Sequence, residues 1–261
     1  MWAFSETEII AALGEYFWVF CRIGAFFLVA PILGTQLVSP RVRLILSGLV
    51  TFLLVPLLPA PTIQASLNLP ILIIVAEQVL IGLAMGFVLQ ILFQVFVLMG
   101  QFVAMKMGLG FASMNDPSNG VSVTVLSQFY LMITTLLFLS INGHLLMIQS
   151  IVQSFTTLPV ASTGLSAAGL FRIASLGSWM FQGALVMALP VLTSLLVVNI
   201  AFGVMSRAAQ QMNVFTVGFP ITLLFGMVLI YLSLENFLPN FLTYVDQGFQ
   251  TMIDLANPVQ I

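Results

Sequence analysis

From Ile71 to Met105 the chain runs through a stretch whose only ionisable side chain is Glu77. A helix of about 20 apolar residues already crosses a bilayer, so this one run overshoots the hydrocarbon. A soluble fold would have to cover such a segment with polar residues, and the chain has few to offer. Of its 261 residues, 61% are apolar and 5% charged, where a globular protein carries about a quarter charged. Mean hydropathy is +1.17, and a chain this short cannot wrap so large an apolar core in so thin a polar skin. The sequence predicts an all-α polytopic membrane protein with about six long apolar helices.

The apolar runs lie near Ile9–Val29, Leu44–Leu58, Ile71–Met105, Val121–Phe155, Trp179–Val204 and Phe219–Phe241. The second is short, bounded by Pro40 and by the Pro56 to Pro61 cluster, and is expected to tilt, re-enter or extend backwards through Arg41 and Arg43. The third and fourth each read as one overlong helix of roughly 50 Å at 1.5 Å per residue. Arg41, Arg43, Lys106 and Arg207 fall in gaps on one side and Arg172 on the other. The positive-inside rule then places both termini outside the cytoplasm.

Several functions are excluded at this level. Net charge is -2 with no basic tract, which argues against nucleic acid and anionic lipid surfaces as partners. No phosphate loop, zinc spacing or catalytic triad is present, and the single His144 leaves little to build one from. Neither an enzyme nor a cofactor is expected. The opening MWAFSETE lacks the basic region of a signal peptide, so the first run is expected to persist. Cys21 has no partner for a disulfide within the chain and reads as a small apolar packing residue.

Polar residues inside the runs have a direction. At about 100° per residue, Gly82, Gly86, Gln90, Gln94 and Gln101 share one face of the third run. Gln128, Asn142, Gln149 and Gln153 share one face of the fourth, with His144 pointing away. Such stripes serve either as packing notch and interhelical glue or as the border of a wet passage shared with other subunits. Among intramembrane charges, Glu15 and Arg22 share a face of the first run, while Glu77 and Glu235 lie within or near the ends of the third and sixth. A mid-bilayer charge must face protein or water, and Arg22 with Glu77 is the expected pair.

Between the third and fourth runs stands GLGFASMNDPSNG, residues 108–120. Gly108 and Gly110 permit backbone conformations closed to other residues, and Asn115-Asp116-Pro117 is strong turn chemistry. The segment presents Met107, Leu109, Phe111 and Met114 on a bendable backbone. A deformable apolar constriction of this kind can exclude ions by dewetting and still yield to something wide; a connecting loop packed on its neighbours is the other reading.

This loop, with Gln128-Phe129, Asn142-Gly143-His144 and the Ser206 to Phe215 stretch closing on Gly218-Phe219-Pro220, resembles the FliR family of flagellar export-gate membrane proteins, related to the T subunits of virulence type III secretion systems. The resemblance spans nearly the whole chain. It implies a non-enzymatic subunit that assembles with FliP and FliQ homologues, contacts FlhB, and helps form the channel carrying unfolded flagellar proteins across the bacterial inner membrane at the flagellar basal body. It also implies a FliP-like part, residues 1–165, with a lumen plug near 106–120, and a FliQ-like helical hairpin and tail, residues 166–261. Arg207, Gln211, Met212, Asn213 and Phe215 then form a loop for cytoplasmic partners. The rival readings are a small-solute secondary transporter using Glu77 and Glu235 as coupling acids, and a membrane scaffold with no conduit.

Overall fold

The computed structural model describes residues 6–58, 69–109, 124–160, 164–208 and 214–256. No strand occurs among the described residues. The helices are α1 (Glu6–Val29), α2 (Pro40–Leu54), α3 (Leu69–Lys106), α4 (Val125–Ser140), α5 (Gly143–Thr157), α6 (Ala167–Ala208), α7 (Val214–Ser233) and α8 (Phe237–Ala256), with single 3₁₀ turns at Val55–Leu57 and Leu234–Asn236. By length and composition, four helical stretches among the described residues can cross a membrane: Pro40–Leu57, Leu72–Lys106, Ala167–Arg207 and Gly218–Leu255.

Local chemistry sets the ends of these elements. α2 starts at Pro40, where a missing N–H costs nothing, and Ser39 accepts the Val42 N–H at 3.4 Å. The helix therefore includes Arg41 and Arg43, one of the extensions the sequence allowed. Arg43 folds back onto the preceding turn, donating from Nε to the Leu33 carbonyl at 3.0 Å and from Nη2 to that of Thr35 at 3.0 Å. α3 runs 38 residues to Lys106 and stops in a Schellman motif. The Leu109 N–H bonds the Ala104 carbonyl at 2.9 Å, the Gly108 N–H bonds that of Met105 at 3.1 Å, and Gly108 sits at φ 83°.

The fourth run is two helices, which corrects the expectation of one overlong helix. Between α4 and α5 the axis turns by 69°. Asn142 occupies the left-handed region at φ 58°, ψ 30°, a conformation asparagine tolerates better than most residues. Gly143 follows because a Cβ there would come within 2.6 Å of the Phe138 ring. The common polar face of Gln128 with Gln149 and Gln153 dissolves, since they stand on helices with different axes.

The chain divides into two compact units. The first takes Met1–Ile91, Phe138–Leu176 and Gln247–Ile261; the second takes Leu92–Leu137 and Gly177–Asp246. The first is centred on Arg22, Ile23, Phe26 and Phe27 of α1, all fully buried. The second has an aromatic core in which Phe96 meets Phe237, Phe241 and Tyr244 at centroid distances of 5.5, 5.6 and 6.2 Å. Tyr130 stacks on Phe237 there at 5.6 Å.

Candidate functional site

Of the constriction residues, Met107, Gly108 and Leu109 are described; Gly110, Phe111, Met114, Asn115, Asp116 and Pro117 lie outside the described residues. Both shoulders of the segment are anchored within the second unit. At the first, Met107 is buried against Gly226 of α7, where a Cβ would come within 2.6–2.8 Å of the thioether atoms. Gly108 lies over the Phe219 ring, which a Cβ would meet at 2.9 Å. At the second, Ser127 donates to the Val97 carbonyl at 2.9 Å and holds Thr124 at 3.0 Å. Gly100 lets α3 approach so closely that a Cβ there would stand 2.9 Å from the Ser127 Cα. The intervening residues run between these two anchored points.

Gly226 was not singled out from sequence. A signal existed, because a glycine in a helix interior costs about 1 kcal/mol against alanine and usually marks a close approach. Phe219 belongs to the Gly218-Phe219-Pro220 stretch that carried the resemblance, and the structure places it against the loop's first shoulder.

Arg22 is the buried charge at the heart of the first unit, with no exposed surface. Its Nε donates to Gln78 Oε1 at 2.8 Å, and Nη2 reaches the same oxygen. Nη1 donates to the Ser154 carbonyl at 2.9 Å and to Ser154 Oγ at 3.1 Å, and Nη2 to the Leu158 carbonyl at 2.9 Å. The guanidinium carbon stands 4.2 Å from the centroid of the Phe155 ring. The expected Arg22–Glu77 pair does not form. Gln78, one residue on, is the partner, and Glu77 is half-buried beside Gly164, where a Cβ would lie 3.1 Å from its carboxyl carbon. No carboxylate is needed, because Ser154 and Leu158 lie at the C-terminal end of α5, where the last carbonyls and the helix dipole favour a cation. Arg22 thus joins α1, α3 and α5 through neutral oxygens.

The third-run stripe divides by role. Gly82 and Gly86 are buried against α1. A Cβ on Gly82 would overlap the Arg22 carbonyl oxygen, and one on Gly86 would come within 2.9 Å of that of Phe26. Gln90, Gln94 and Gln101 are half-buried, whereas Gln128, Asn142, Gln149, Gln153 and His144 are exposed. Glu235, read from sequence as a buried charge, is exposed on the Leu234–Asn236 turn. That turn interrupts the apolar helix and so lifts the carboxylate out of the packed face. Arg207 is exposed at the end of α6; Gln211, Met212 and Asn213 lie outside the described residues, and Phe215 falls in the first turn of α7.

Comparison with known proteins follows the same lines. The sequence model described as "Bacterial export proteins, family 1" matches residues 13–248. The chain is 37% identical over 225 residues to the flagellar biosynthetic protein FliR of Escherichia coli (strain K12), covering 86% of each chain. It is 32% identical over 255 residues to FliR of Pectobacterium carotovorum subsp. carotovorum, covering 98% of this chain and 96% of that one. Against FliR of Bacillus subtilis (strain 168) the identity is 29% over 236 residues, 88% and 89% of the two chains.

Proposed function

Because the chain belongs to the FliR family of bacterial export proteins, we propose that it is a non-enzymatic component of the flagellar type III export apparatus. In this reading it combines with FliP and FliQ homologues into an inner-membrane channel for unfolded flagellar proteins. FlhB docks at the segment between α6 and α7, where Arg207 marks the cytoplasmic side. The match over residues 13–248 carries the reading. Exposed amides on apolar helices support it, since lipid offers them no hydrogen-bonding partner.

In this reading Met107 is the packed anchor and not part of the seal, and residues 110–117 form the seal of that channel. What supports this is the anchoring of both shoulders, at Met107 on Gly226 and at Ser127 on Val97. In this reading the segment's apolar side chains fill the lumen and bar ions by dewetting.

Purification in mild detergent from cells expressing the homologous FliP and FliQ tests the proposal. The expected product is one large complex containing all three proteins. A stable, monodisperse monomer that leaves FliP and FliQ behind would overturn it.

A further inference from the structure

Halfway along the second unit's longest helix, Pro190 interrupts α6 and has no N–H to give to the Val186 carbonyl. Near the middle of the apolar stretch Gly218–Leu255, the Leu234–Asn236 turn interrupts the passage from α7 to α8. The two interruptions meet at one cavity of about 270 Å³, whose lining includes Val186, Pro190, Ser194, Ser233, Asn236 and Asn240.

The polar lining has a definite character. Ser194 spends its hydroxyl proton on the Pro190 carbonyl at 2.8 Å, Ser233 on that of Ile230 at 2.8 Å, and Asn240 gives an amide proton to the Asn236 carbonyl at 2.8 Å. What remains is mixed: the Val186 carbonyl, the Ser194 oxygen and Asn240 Oδ1 can accept, and Asn240 keeps a second amide N–H to donate. The Asn236 side chain adds two amide N–H donors and one acceptor oxygen. No ionisable side chain lines the cavity. The rim is apolar, with Val186 and Leu232 more than half exposed.

Lipid can satisfy none of these groups, and the mixture of donors with acceptors suits a group that carries both better than it suits a bare cation. A carboxamide fits, because its NH₂ donates to these acceptors while its oxygen accepts from Asn236 or Asn240. We propose that this cavity is a docking site for an asparagine or glutamine side chain on a transmembrane helix of a partner subunit. The proposal rests on reading the chain as a subunit of a membrane assembly.

The test uses the assembled complex in native membranes, with a photo-crosslinking amino acid in place of Leu232 on the rim. The same substitution at Leu224, exposed elsewhere on α7, is the control. Leu232 should crosslink to a partner's transmembrane peptide within one helical turn of an asparagine or glutamine. At matched abundance, Asn236→Leu combined with Ser194→Ala should lower that yield by about three- to tenfold, the range expected for one or two interhelical hydrogen bonds. Asn236→Gln should preserve it, and the Leu224 adducts should not change. If the complex copurifies but Leu232 labels lipid, labels a peptide without an amide, or ignores the double substitution, the docking proposal alone is overturned. If no partner copurifies and neither position labels protein, the assembly reading falls with it.

Discussion

Replacing Gln78 by leucine asks whether neutral oxygens hold Arg22 in place. Gln78 Oε1 takes the Nε proton at 2.8 Å and one from Nη2, so leucine would leave two donors of a fully buried cation facing a hydrocarbon. Hydrogen bonds to charged groups contribute about 1.5–3 kcal/mol each in soluble proteins. Interhelical bonds in membranes contribute less, averaging about 0.6 and reaching about 1.7 kcal/mol. The two bonds share one acceptor and are not independent, so the loss should be about 1–3 kcal/mol. At about 2–4 °C per kcal/mol for a chain of this size, the apparent Tm of the purified complex should drop by roughly 3–10 °C. Gln78→Glu keeps the acceptor and adds opposite charge, so it should hold the wild-type Tm. Glu77→Gln should move it by no more than about 2 °C, since Glu77 takes no part in the cluster. Thermal challenge followed by fluorescence-detected size exclusion reads all three. A wild-type melting profile for Gln78→Leu, or an equal drop for Glu77→Gln, would refute the assignment of partners.

Gly82→Val should cut membrane abundance severalfold, because its Cβ overlaps the Arg22 backbone, while Leu83→Val on the exposed side of the same helix should be tolerated; immunoblots of washed membranes decide between them. Gly226→Val should displace Met107 and raise ion leak at normal complex abundance, whereas Gly203→Val, with nothing within 4 Å of the new Cβ, should not; conductance of matched membranes is the readout. Deleting residues 110–117 should leave assembly intact yet open the membrane to small ions, and an assembled deletion with unchanged conductance would mark the segment as a plain connector. A cysteine replacing Gln211 should react with a membrane-impermeant maleimide only from the cytoplasmic side, and labelling from the other side alone would reverse the topology.

Hydropathy located the third run to within two residues of α3 at its start and one at its end, because a long apolar stretch fixes where a helix can lie. It missed the break at Asn142, since a left-handed residue alters direction without altering apolarity. The Asn142-Gly143 pair is a turn signal, but apolar flanks on both sides masked it. Charge pairing was sought among carboxylates, so Gln78 went unnoticed; the other half of the Arg22 site is backbone carbonyl, visible only once the end of α5 is known. Pro190 is visible in the sequence, whereas the Leu234–Asn236 turn falls inside the apolar run Phe219–Phe241 and was missed. Their meeting at one cavity depends on helix register, which no single run encodes.

Synthesis order gives the Arg22 cluster a timetable. Gln78 follows Arg22 by 56 positions, while Ser154 and Leu158 follow it by 132 and 136. At about 5–20 residues per second, the guanidinium waits roughly 7–27 s for its last acceptors to leave the ribosome. For that interval α1 carries a cation that lipid cannot solvate, so it must linger at the interface, where the side chain can reach water. The depth of the first helix is therefore settled by the fifth, and a ribosome stalled before Ser154 should leave Cys21, next to Arg22, reactive toward a water-soluble maleimide.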